Sequence, residues 1–538
     1  MVSLGRILRD YQDAGSVNSL LAPWGFVDET TFLTKAGHVG GIYRLKGVDY
    51  EGLTHAQRRT VAHRVEAALR MLDERCRVYQ YFIKRTIQPI AATPCAQPIA
   101  RDAIEARAAF LNGRREDLYE VSAYLVLLYE PPTSAKTSTR LRRLWRSPSQ
   151  ALREWLSPQQ TLQILEREVE DAVGTLHHKA SAFQVQLGEI GPRRLNKADA
   201  FHFFRQLVNF DHSTADAGQL KYDTHVDYFM ADSPVECHRD HLTVGNRFVK
   251  VLSMKEPLAQ TFAHVLAGLY EIPGELVACL EWQRIASDRI RRDLQTRRRH
   301  FFNKRVSMVN YLSSDNRPEE MLVDDSASAT VRQLGDAVTE LEVNGHFFGT
   351  CSLTLVLHSE DKPRLQQHVA EAAKAVAVHD GSLFDETYNL LNAWLSTVPG
   401  NGAHNVRRLA LLETNLADLS FVFTHDPGER VSAHLRKPAL AIFETPHHAR
   451  APDRLDPAPA DPAEAAGCDE SPLSYGRSKE LLDLHQHPAR QRAGRGGVQG
   501  VRVRGGTRPP CGICVSWFGG VECLVGGWSV RRWRPRRC

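Results

Sequence analysis

The order of apolar and polar residues in the first 90 positions predicts a mixture of strands and helices. Residues 30–47, TTFLTKAGHVGGIYRLKG, alternate on either side of a glycine-containing turn, which is typical of a β-hairpin. The next stretch, LTHAQRRTVAHRVEAALRMLDE, spaces its apolar residues as a helix does, and RVYQYFIKR then alternates like a strand. Both periods occur in one short stretch, which indicates an α+β fold.

The chain from Val121 to Val208 continues this alternation. VSAYLVLLYE predicts a strand, and residues 130–150, rich in proline, serine and basic residues, predict an exposed insertion. TLQILEREVEDAVGTLHHKASAF predicts a helix, FQVQLGEI a strand, and residues 197–208 a further helix.

A second unit is predicted to begin near His241. HLTVGNRFVKVLSM carries a turn and an alternating strand, and ELVACLEWQRI predicts another strand. RIRRDLQTRRRHFFNKR and DDSASATVRQLGDAVTELE predict two helices that pack as an antiparallel pair. The strand HFFGTCSLTLVLHS and the helix PRLQQHVAEAAKAVAV follow.

At Pro446 the pattern changes abruptly to segments crowded with Arg, Gly, Pro and Ala that lack any apolar period. Such a stretch cannot build a core, so disorder is predicted from there onward. We therefore expect an α+β unit at residues 1–240, a second α+β unit with a helix pair at 241–445, and a disordered tail at 446–538.

Composition narrows the class of protein. The 538 residues are 42% hydrophobic and 24% charged, which is typical of globular proteins, and a net charge of +5 is too small at this length to indicate nucleic acid. No apolar run approaches the roughly 20 residues of a membrane helix, and the N-terminus lacks a signal-peptide pattern. Five cysteines are scattered and the other five lie in the last seventy-odd residues. We expect a cytoplasmic body with reduced thiols.

Two groups of possible metal ligands are present. Cys237, His238 and His241 form C-H-x-x-H, but structural zinc needs four ligands and no second pair lies nearby. A CxxC pair in the tail has possible companions, without the periodicity of a zinc ribbon; these residues are Cys511, Cys514, Cys523, His485 and His487. We predict no metal site, and because no G-x-S-x-G elbow occurs we predict no catalytic residues.

Basic residues cluster on the first helix of the predicted pair, next to Phe301 and Phe302; they are Arg289, Arg291, Arg292, Arg297, Arg298, Arg299, Lys304 and Arg305. Such a cluster is either a contact with phosphates of nucleic acid or acidic lipid, or a solvated helix face. Because Asp288 and Asp293 interrupt it, the solvated face is the favoured interpretation.

Three segments resemble elements that occur, in this order, just before the catalytic domain of the VirB/TrbE/CagE conjugal transfer ATPases. VPGNGAHNVRR at 398–408 resembles the segment leading into Asn-x-Arg-Arg. LLETNLADL at 411–419 resembles the Thr-Asn-Leu-Ala-Asp-Leu element, and LRKPALAIFET at 435–445 is similar to the strand approaching the motor domain. The resemblance covers roughly residues 1–445 and is closest to the TrbE subgroup.

The resemblance implies a glycine-rich loop, G-x-x-x-x-G-K-[ST], soon after Phe443, whose amides and lysine hold the phosphates of ATP. The sequence contains no Gly-Lys dipeptide, so this loop is absent and neither Glu444 nor Asp361 can be assigned to magnesium. Full-length family members are expected to use ATP and magnesium; for this chain we expect no cofactor. Because the pattern stops after Thr445, we hypothesise a frameshifted or rearranged gene end, with a genuine alternative C-terminus as the other possibility.

The resemblance therefore implies a component of a type IV secretion or conjugal transfer system, equivalent to the N-terminal docking and oligomerisation region of the ATPase and unable to hydrolyse ATP. It implies a cytoplasmic protein peripheral to the inner membrane, with other secretion components and copies of itself as partners. Two alternatives stay open. One is a chain grouped with ATP-binding transfer ATPases by homology alone, and the other is a nonspecific nucleic-acid-binding module that uses the basic helix and the tail.

Overall fold

The computed structural model describes residues 15–92, 94–131, 158–304, 325–424, 442–444 and 450–452. The predicted insertion therefore lies outside the described residues from residue 132 onward. The tail lies outside them too, apart from residues 450–452.

Both strands and helices occur in the described residues up to Ala217. The strands are β1 Pro23–Phe26, β2 Thr31–Thr34, β3 Val39–Leu45, β4 Val48–Asp49, β5 Cys76–Thr86, β6 Tyr119–Tyr129 and β7 Pro192–Arg194. The helices are α1 His55–Arg70, α2 Pro98–Gly113, α3 Pro158–Gln186, α4 Lys197–Val208 and α5 His212–Ala217.

The elements from residue 235 onward follow a similar order. The strands are β8 Val235–Cys237, β9 Leu242–Val244, β10 Arg247–Glu256, β11 Glu275–Arg284, β12 Phe348–Ser359, β13 Ser382–Asp385, β14 Leu409–Leu412, β15 Phe423–Thr424, β16 Ile442–Glu444 and β17 Arg450–Pro452. The helices are α6 Ser287–Lys304, α7 Asp325–Glu342, α8 Lys362–Ala377, α9 Leu390–Leu395 and α10 Glu413–Leu419.

Within the described ranges, thirteen strands form one sheet in the order β1-β2-β3-β6-β5-β11-β12-β10-β9-β8, with β7, β13 and β14 paired beside this path. All of its ladders are antiparallel, and β5 and β11 meet at its centre, where Gln80 lies opposite Leu280. Of these strands, we call those from β1 to β7 the first half of the sheet and those from β8 to β14 the second half; β4 is not among them, because it pairs with β15 in a separate ladder. The fold is α+β, as the sequence predicts.

The two halves repeat one topology. Counted from its outer edge, the first half runs β1-β2-β3-β6-β5 and the second runs β8-β9-β10-β12-β11. In addition, β7 pairs with β3 as β13 pairs with β10. The helices follow the same rule, because α3, β7 and α4 come after β6 just as α8, β13 and α9 come after β12. The two halves are therefore related by an approximate twofold axis that lies between β5 and β11.

Helices cover both faces of this sheet. Apolar residues of α1, α3, α8 and α10 pack on one face, where Trp282 is fully buried. Those of α4 and α9 pack on the other, where Trp394 is fully buried. A strand covered on both sides has no solvent-facing side, which explains why nine successive residues of β5, from Cys76 to Lys84, are buried, the polar Arg77, Gln80 and Lys84 included.

Most predicted elements are confirmed, including the β2–β3 and β9–β10 hairpins. The α6–α7 pair is confirmed too, with Leu294 and Leu334 in one small apolar core. The prediction of a strand at FQVQLGEI is wrong, because α3 continues through Gln186. Phe183 and Leu187 are buried four residues apart, as on one face of a helix, while Val185 between them is 77% exposed.

The boundary predicted between residues 240 and 241 falls inside the β8–β9 hairpin. The division into two separate units remains a prediction. Farther along, β16 and β17 form a two-stranded antiparallel ladder of their own, in which β16 agrees with the strand expected near Phe443.

Candidate functional site

The loop 397–402, at the start of the VPGNGAHNVRR segment, lies on the central strand β5 and is held there by two buried tyrosines. The Tyr81 hydroxyl donates to the Thr397 carbonyl at 2.7 Å, and the Gly400 amide donates to the Tyr79 hydroxyl at 3.3 Å. Burial raises the pKa of both phenols well above their usual value, so both stay protonated. Gly400 has a φ of +92°, which glycine adopts without strain.

Below this loop, Glu281 of β11 is a buried carboxylate that joins both halves to the segment. Arg77 of β5 donates to Glu281 through Nη1 and to Glu130 at 2.7 Å through Nε. The Asn405 amide donates to the other Glu281 oxygen at 3.0 Å, and Arg408 lies 3.9 Å from the carboxylate. Because Glu281 is only 5% exposed, these partners supply the positive charge and hydrogen bonds that its burial requires.

Gly402 is required by the same packing. A Cβ at this position would lie 2.8 Å from Glu281 Oε1 and 3.0 Å from Arg77 Nη1. Gly402 therefore has a physical role: it allows the loop to approach the Arg77–Glu281 pair closely.

A second buried carboxylate lies at the start of the LLETNLADL segment. The Glu413 side chain is fully buried at the first turn of α10 and accepts hydrogen bonds from His346 Nδ1 at 2.8 Å and the Phe347 amide at 2.9 Å. Arg70 of α1 lies 3.4 Å away. This residue therefore joins α10 to α1 and to the start of β12.

Glu66, His346 and Glu413 offer ligand atoms that all lie within 4.8 Å of one another, the spacing that a metal ion would need. However, Arg70 Nη2 lies between the carboxylates, 2.6 Å from Glu66 and 3.4 Å from Glu413. The guanidinium already supplies the positive charge that a cation would bring. The donor set fits an internal ion-pair cluster better than a metal centre.

The third buried carboxylate, Glu275, begins β11. It accepts from the Thr86 amide at 2.9 Å and from Arg247, and it lies 2.7 Å from His212 Nε2 and 3.7 Å from His358 Nδ1. Burial alone would raise the pKa of Glu275, but His212, His358, Arg247 and Thr86 together bring it well below its usual value. Burial lowers the pKa of His358 to about 3, so this imidazole is neutral at pH 7.

An open polar cavity of about 330 Å³ lies beside His212, lined by Arg44, Arg85, Thr86, Gln88, Pro89, Glu120, Ser122, Tyr124, Gln206, His212 and Asp216. Two arginines face two carboxylates, and Arg85 pairs with Asp216 at 3.3 Å. Ligand pockets are mostly apolar with a few polar groups, whereas the charges here balance one another. We assign this cavity no ligand.

The residues of the C-H-x-x-H motif lie in β8 and the turn after it. The rings of His238 and His241 stack at 4.5 Å, and His241 Nδ1 lies 2.8 Å from Asp240 and 3.4 Å from Lys362. In the part of the chain that the structure describes, Cys237 and these histidines do not bring three ligand atoms within metal-binding reach of one another. The cysteines and histidines of the tail lie outside the described residues.

The two acidic residues considered for magnesium have other positions. Asp361 is the N-cap of α8 and accepts from the Arg364 amide at 3.3 Å. Glu444 is in β16. The basic cluster from Arg289 to Lys304 is confirmed as part of a helix, α6, with Arg292 and Arg299 exposed, and Arg305 lies outside the described residues.

Sequence reasoning did not find the three buried glutamates. The signal for two of them was available, because Glu275 directly precedes and Glu281 interrupts the apolar run of β11, where a buried charge must find a partner. The partners themselves could not be found, since Arg77 and Asn405 lie 204 and 124 residues away from Glu281.

In the described part of the chain, no helix is both long and apolar enough to cross a membrane.

Two family models match the sequence. Residues 30–137 match the N-terminal domain of the type IV secretion system ATPase VirB4/TrbE, and residues 185–407 match the CagE, TrbE, VirB family, a component of the type IV transporter system. The conjugal transfer protein TrbE of Rhizobium radiobacter is 23% identical over 424 residues, which cover 77% of this chain and 50% of that protein. The chain thus spans about half the length of this curated relative.

The matched regions include much of the central framework. Arg77 and β5 lie in the first region, and Glu275, Glu281 and the segment up to Arg407 lie in the second. Both family models and this relative name the family that the quoted segments resemble; residues 398–407 lie in the second matched region, and the segments 411–419 and 435–445 lie beyond it.

Proposed function

Because this chain belongs to the VirB4/TrbE family of type IV secretion system ATPases, we propose that it acts in a conjugal transfer or secretion complex as a docking and oligomerisation body, and that it does not itself hydrolyse ATP. The proposal rests on two features that occur together in this chain. The central strands β5 and β11 are joined by the buried Arg77–Glu281 pair, and the sequence contains no Gly-Lys dipeptide.

The physical reason for inactivity is the missing phosphate cradle. Phosphoryl transfer depends almost entirely on positioning and on neutralising the charge of the phosphates. The loop that does this in such motors uses successive backbone amides and a lysine. Without that loop, the 538-residue chain has no identified group to hold a triphosphate.

The three buried carboxylates support a docking role. Glu275, Glu281 and Glu413 each join segments from distant parts of the sequence, and a partner-binding surface keeps a fixed shape only when its supporting elements are held rigidly. Breaking one buried pair is costly, so these positions resist deformation when a partner binds.

We place the protein in the cytoplasm at the inner membrane, against other components of the secretion system and against copies of itself. This placement rests on family membership, and the described residues contain no membrane-crossing helix. We propose that protein partners provide the attachment.

Nucleotide binding is tested with the purified chain. We expect no saturable binding of a fluorescent ATP analogue and no phosphate release above buffer in the presence of Mg²⁺. A family member that carries the G-x-x-x-x-G-K-[ST] loop serves as the positive control. ATP hydrolysis that co-elutes with the 538-residue chain on gel filtration would overturn the proposed inactivity.

Docking is tested by fractionating cells with and without the other transfer components. We expect the chain in the membrane fraction only when those components are present. Glu281→Ala, which breaks the framework, should release it, whereas Glu130→Ala, at the rim of the same network, should not. Equal distribution in both cell types would overturn the docking role.

A further inference from the structure

The outer edge of the first half carries a group of aromatic rings at the surface. The Trp24 indole of β1 donates to His225 Nδ1 at 3.2 Å, and the two rings lie 5.2 Å apart, edge to face. The His225 ring in turn lies 5.9 Å from that of Tyr228. Trp24 is half-buried, His225 is exposed, and Leu20, which precedes β1, is 37% exposed. We call these four residues, Leu20, Trp24, His225 and Tyr228, the edge patch.

The backbone holds the edge patch in a fixed position. The Phe26 amide donates to the Asp223 carbonyl at 2.6 Å, and a Cβ on Gly25 would lie 2.6 Å from the same oxygen, so only glycine allows this approach. His225 has a φ of +58°, a left-handed conformation that is unfavourable for a residue with a side chain and persists where neighbouring contacts fix it. The rings are therefore held in one arrangement before anything packs on them.

The described part of the chain begins beside the edge patch. The Asn18 side chain donates to the carbonyls of Tyr228 and Ala231 at 3.4 and 3.1 Å. Residues 1–14, which lie outside the described residues, join this anchored turn through Gly15, whose φ is +72°. A glycine in this conformation is the usual residue just after the end of a helix. The backbone at Gly15 therefore suits a helix that ends just before it.

The sequence of residues 1–14, MVSLGRILRDYQDA, has the spacing of one amphipathic helix. Its apolar residues recur at intervals of three and four and fall in a stripe about 100° wide; they are Leu4, Ile7, Leu8 and Tyr11. The other side carries two arginines and two aspartates that balance each other, namely Arg6, Arg9, Asp10 and Asp13. Helices that lie in a membrane surface are rich in Lys and Arg on their polar side. The balanced charge favours a protein surface for the apolar stripe.

We infer that residues 1–14 form a helix that folds back at Gly15 and packs its apolar stripe on the edge patch of the same chain. A helix of this length is marginal in water by itself, so its stripe needs a surface. The edge patch is adjacent, because Asn18, three residues after Gly15, already bonds to Tyr228. So short a tether gives the patch of the same chain a high effective concentration, which disfavours the patch of another copy. The inference does not rest on the proposed docking function.

Hydrogen exchange followed by mass spectrometry tests this packing in the full chain. Ile7→Asp places a charge in the apolar stripe, and the amides of residues 1–14 and 222–230 should both exchange about tenfold faster, because burial of an isoleucine contributes at least that factor. The matched control Val2→Asp introduces the same charge on the opposite side of the helix and should change either rate less than about twofold. If wild-type residues 1–14 exchange as fast as a free peptide, or if Ile7→Asp leaves residues 222–230 unchanged, the inference is wrong.

Substitutions in the edge patch test the contact from the other side. Trp24→Ala should make residues 1–14 exchange about tenfold faster, and His225→Ala should act in the same direction with a smaller effect. Tyr388→Ala, which removes an aromatic side chain that is 85% exposed in the second half, is the control and should leave that exchange unchanged. Protection of the β5 amides verifies that each variant folds. Unchanged exchange of residues 1–14 in both patch variants would contradict the inference.

Two further measurements separate the edge patch of the same chain from other surfaces. Light scattering should give wild type and Ile7→Asp the same mass. A wild-type dimer that Ile7→Asp converts to a monomer would place the helix on a second copy and overturn the inference. Flotation with vesicles of phosphatidylcholine and phosphatidylglycerol should recover neither protein. Recovery of wild type but not of Ile7→Asp would place the apolar stripe in a lipid surface, which would also overturn it.

Discussion

The two central strands of the sheet occupy equivalent places in the repeated topology and carry opposite chemistry. Strand β5, in the first half, presents buried donors, namely Arg77 and Lys84. Strand β11, in the second half, presents the buried acceptors Glu275 and Glu281. Each strand thus satisfies groups of the opposite half, with Arg77 on Glu281 and the Thr86 amide on Glu275.

This difference teaches how a repeated fold keeps its halves in one arrangement. If both central strands were apolar, the halves could pair with copies of themselves as readily as with each other. A cationic strand opposite an anionic one makes the mixed pairing favourable and places like charges together in the alternatives. The comparison predicts that substitutions at the charged positions of β5 and β11 lower the free energy of unfolding by unequal amounts, in proportion to the burial of each side chain.

The largest expected effect is at Glu281. Glu281→Ala leaves Arg77 buried without its inner partner, and we expect the free energy of unfolding to fall by about 3–5 kcal/mol. Glu130→Ala, which removes the outer and more exposed partner of the same arginine, should cost well under half of that. Urea denaturation followed by intrinsic fluorescence measures both. Equal losses would show that burial does not rank these two carboxylates.

At acid pH, the stability of the protein should depend on His358, which lies in the second half. Its folded pKa of about 3 lies below the unfolded value of 6.5, so between these values only the unfolded chain takes up the proton. Stability should therefore fall as pH drops from 6.5 towards 3, by on the order of 1.4 kcal/mol per pH unit. His358→Phe, stacked on Phe210, should flatten this dependence, whereas His178→Phe at an exposed position should keep it. Parallel slopes for His358→Phe and wild type would contradict the assignment.

At alkaline pH, the stability of the protein should depend on Lys84, which lies in the first half. Its ammonium donates to the carbonyls of Tyr270 and Ile272 at 2.7 and 2.6 Å, and burial lowers its pKa to about 8. Because the unfolded chain holds this proton up to pH 10.5, stability should rise with pH from 8 to 10.5, by roughly 1.4 kcal/mol per unit at most.

The measurement for Lys84 is a difference between variants. The stability of wild type minus that of Lys84→Met should grow through this pH window, while Lys374→Met, whose side chain is 72% exposed, should show no such trend. A constant difference across the window would mean that the amine titrates normally in the folded protein.

The smallest expected effect concerns a helix that only the first half possesses. Thr54 and Gln57 form a capping box at the start of α1, while the equivalent connection before β11 contains only a short 3₁₀ turn, Ala267–Leu269. Thr54→Ala should cost about 1 kcal/mol, and Thr54→Ser should cost little because serine keeps the accepting hydroxyl. Thermal denaturation compares the two variants; equal losses would exclude the cap as the cause.

Much of the local structure could be predicted because it is encoded in short-range periods. The β2–β3 hairpin and helix α4, Lys197–Val208, appear where the residue pattern places them. The strand predicted at FQVQLGEI failed because three apolar residues at alternate positions also fit two turns of helix when only Phe183 and Leu187 are buried. Eight residues are too few to separate these periods.

The site was much less accessible to sequence reasoning. The segments 398–408 and 411–419 could be recognised, but their roles as partners of Glu281 and as the source of Glu413 depend on strand order. Pairing between β5 and β11 joins residues about 200 positions apart, and no local pattern specifies it. The repeat of topology between the halves was equally hidden, since it concerns connections rather than residues.

The short parallel ladder of β4 and β15 has a mechanical consequence. The chain returns from α10 to lie beside β4, where Val48 donates to the Val422 carbonyl at 2.9 Å and the Thr424 hydroxyl donates to that of Lys46 at 2.9 Å. The Tyr270 hydroxyl, from the second half, donates to Phe423. A force applied to the backbone at Thr424 would thus act on both halves at once. It would load the β5–β11 ladder between the halves instead of separating a single strand from the sheet.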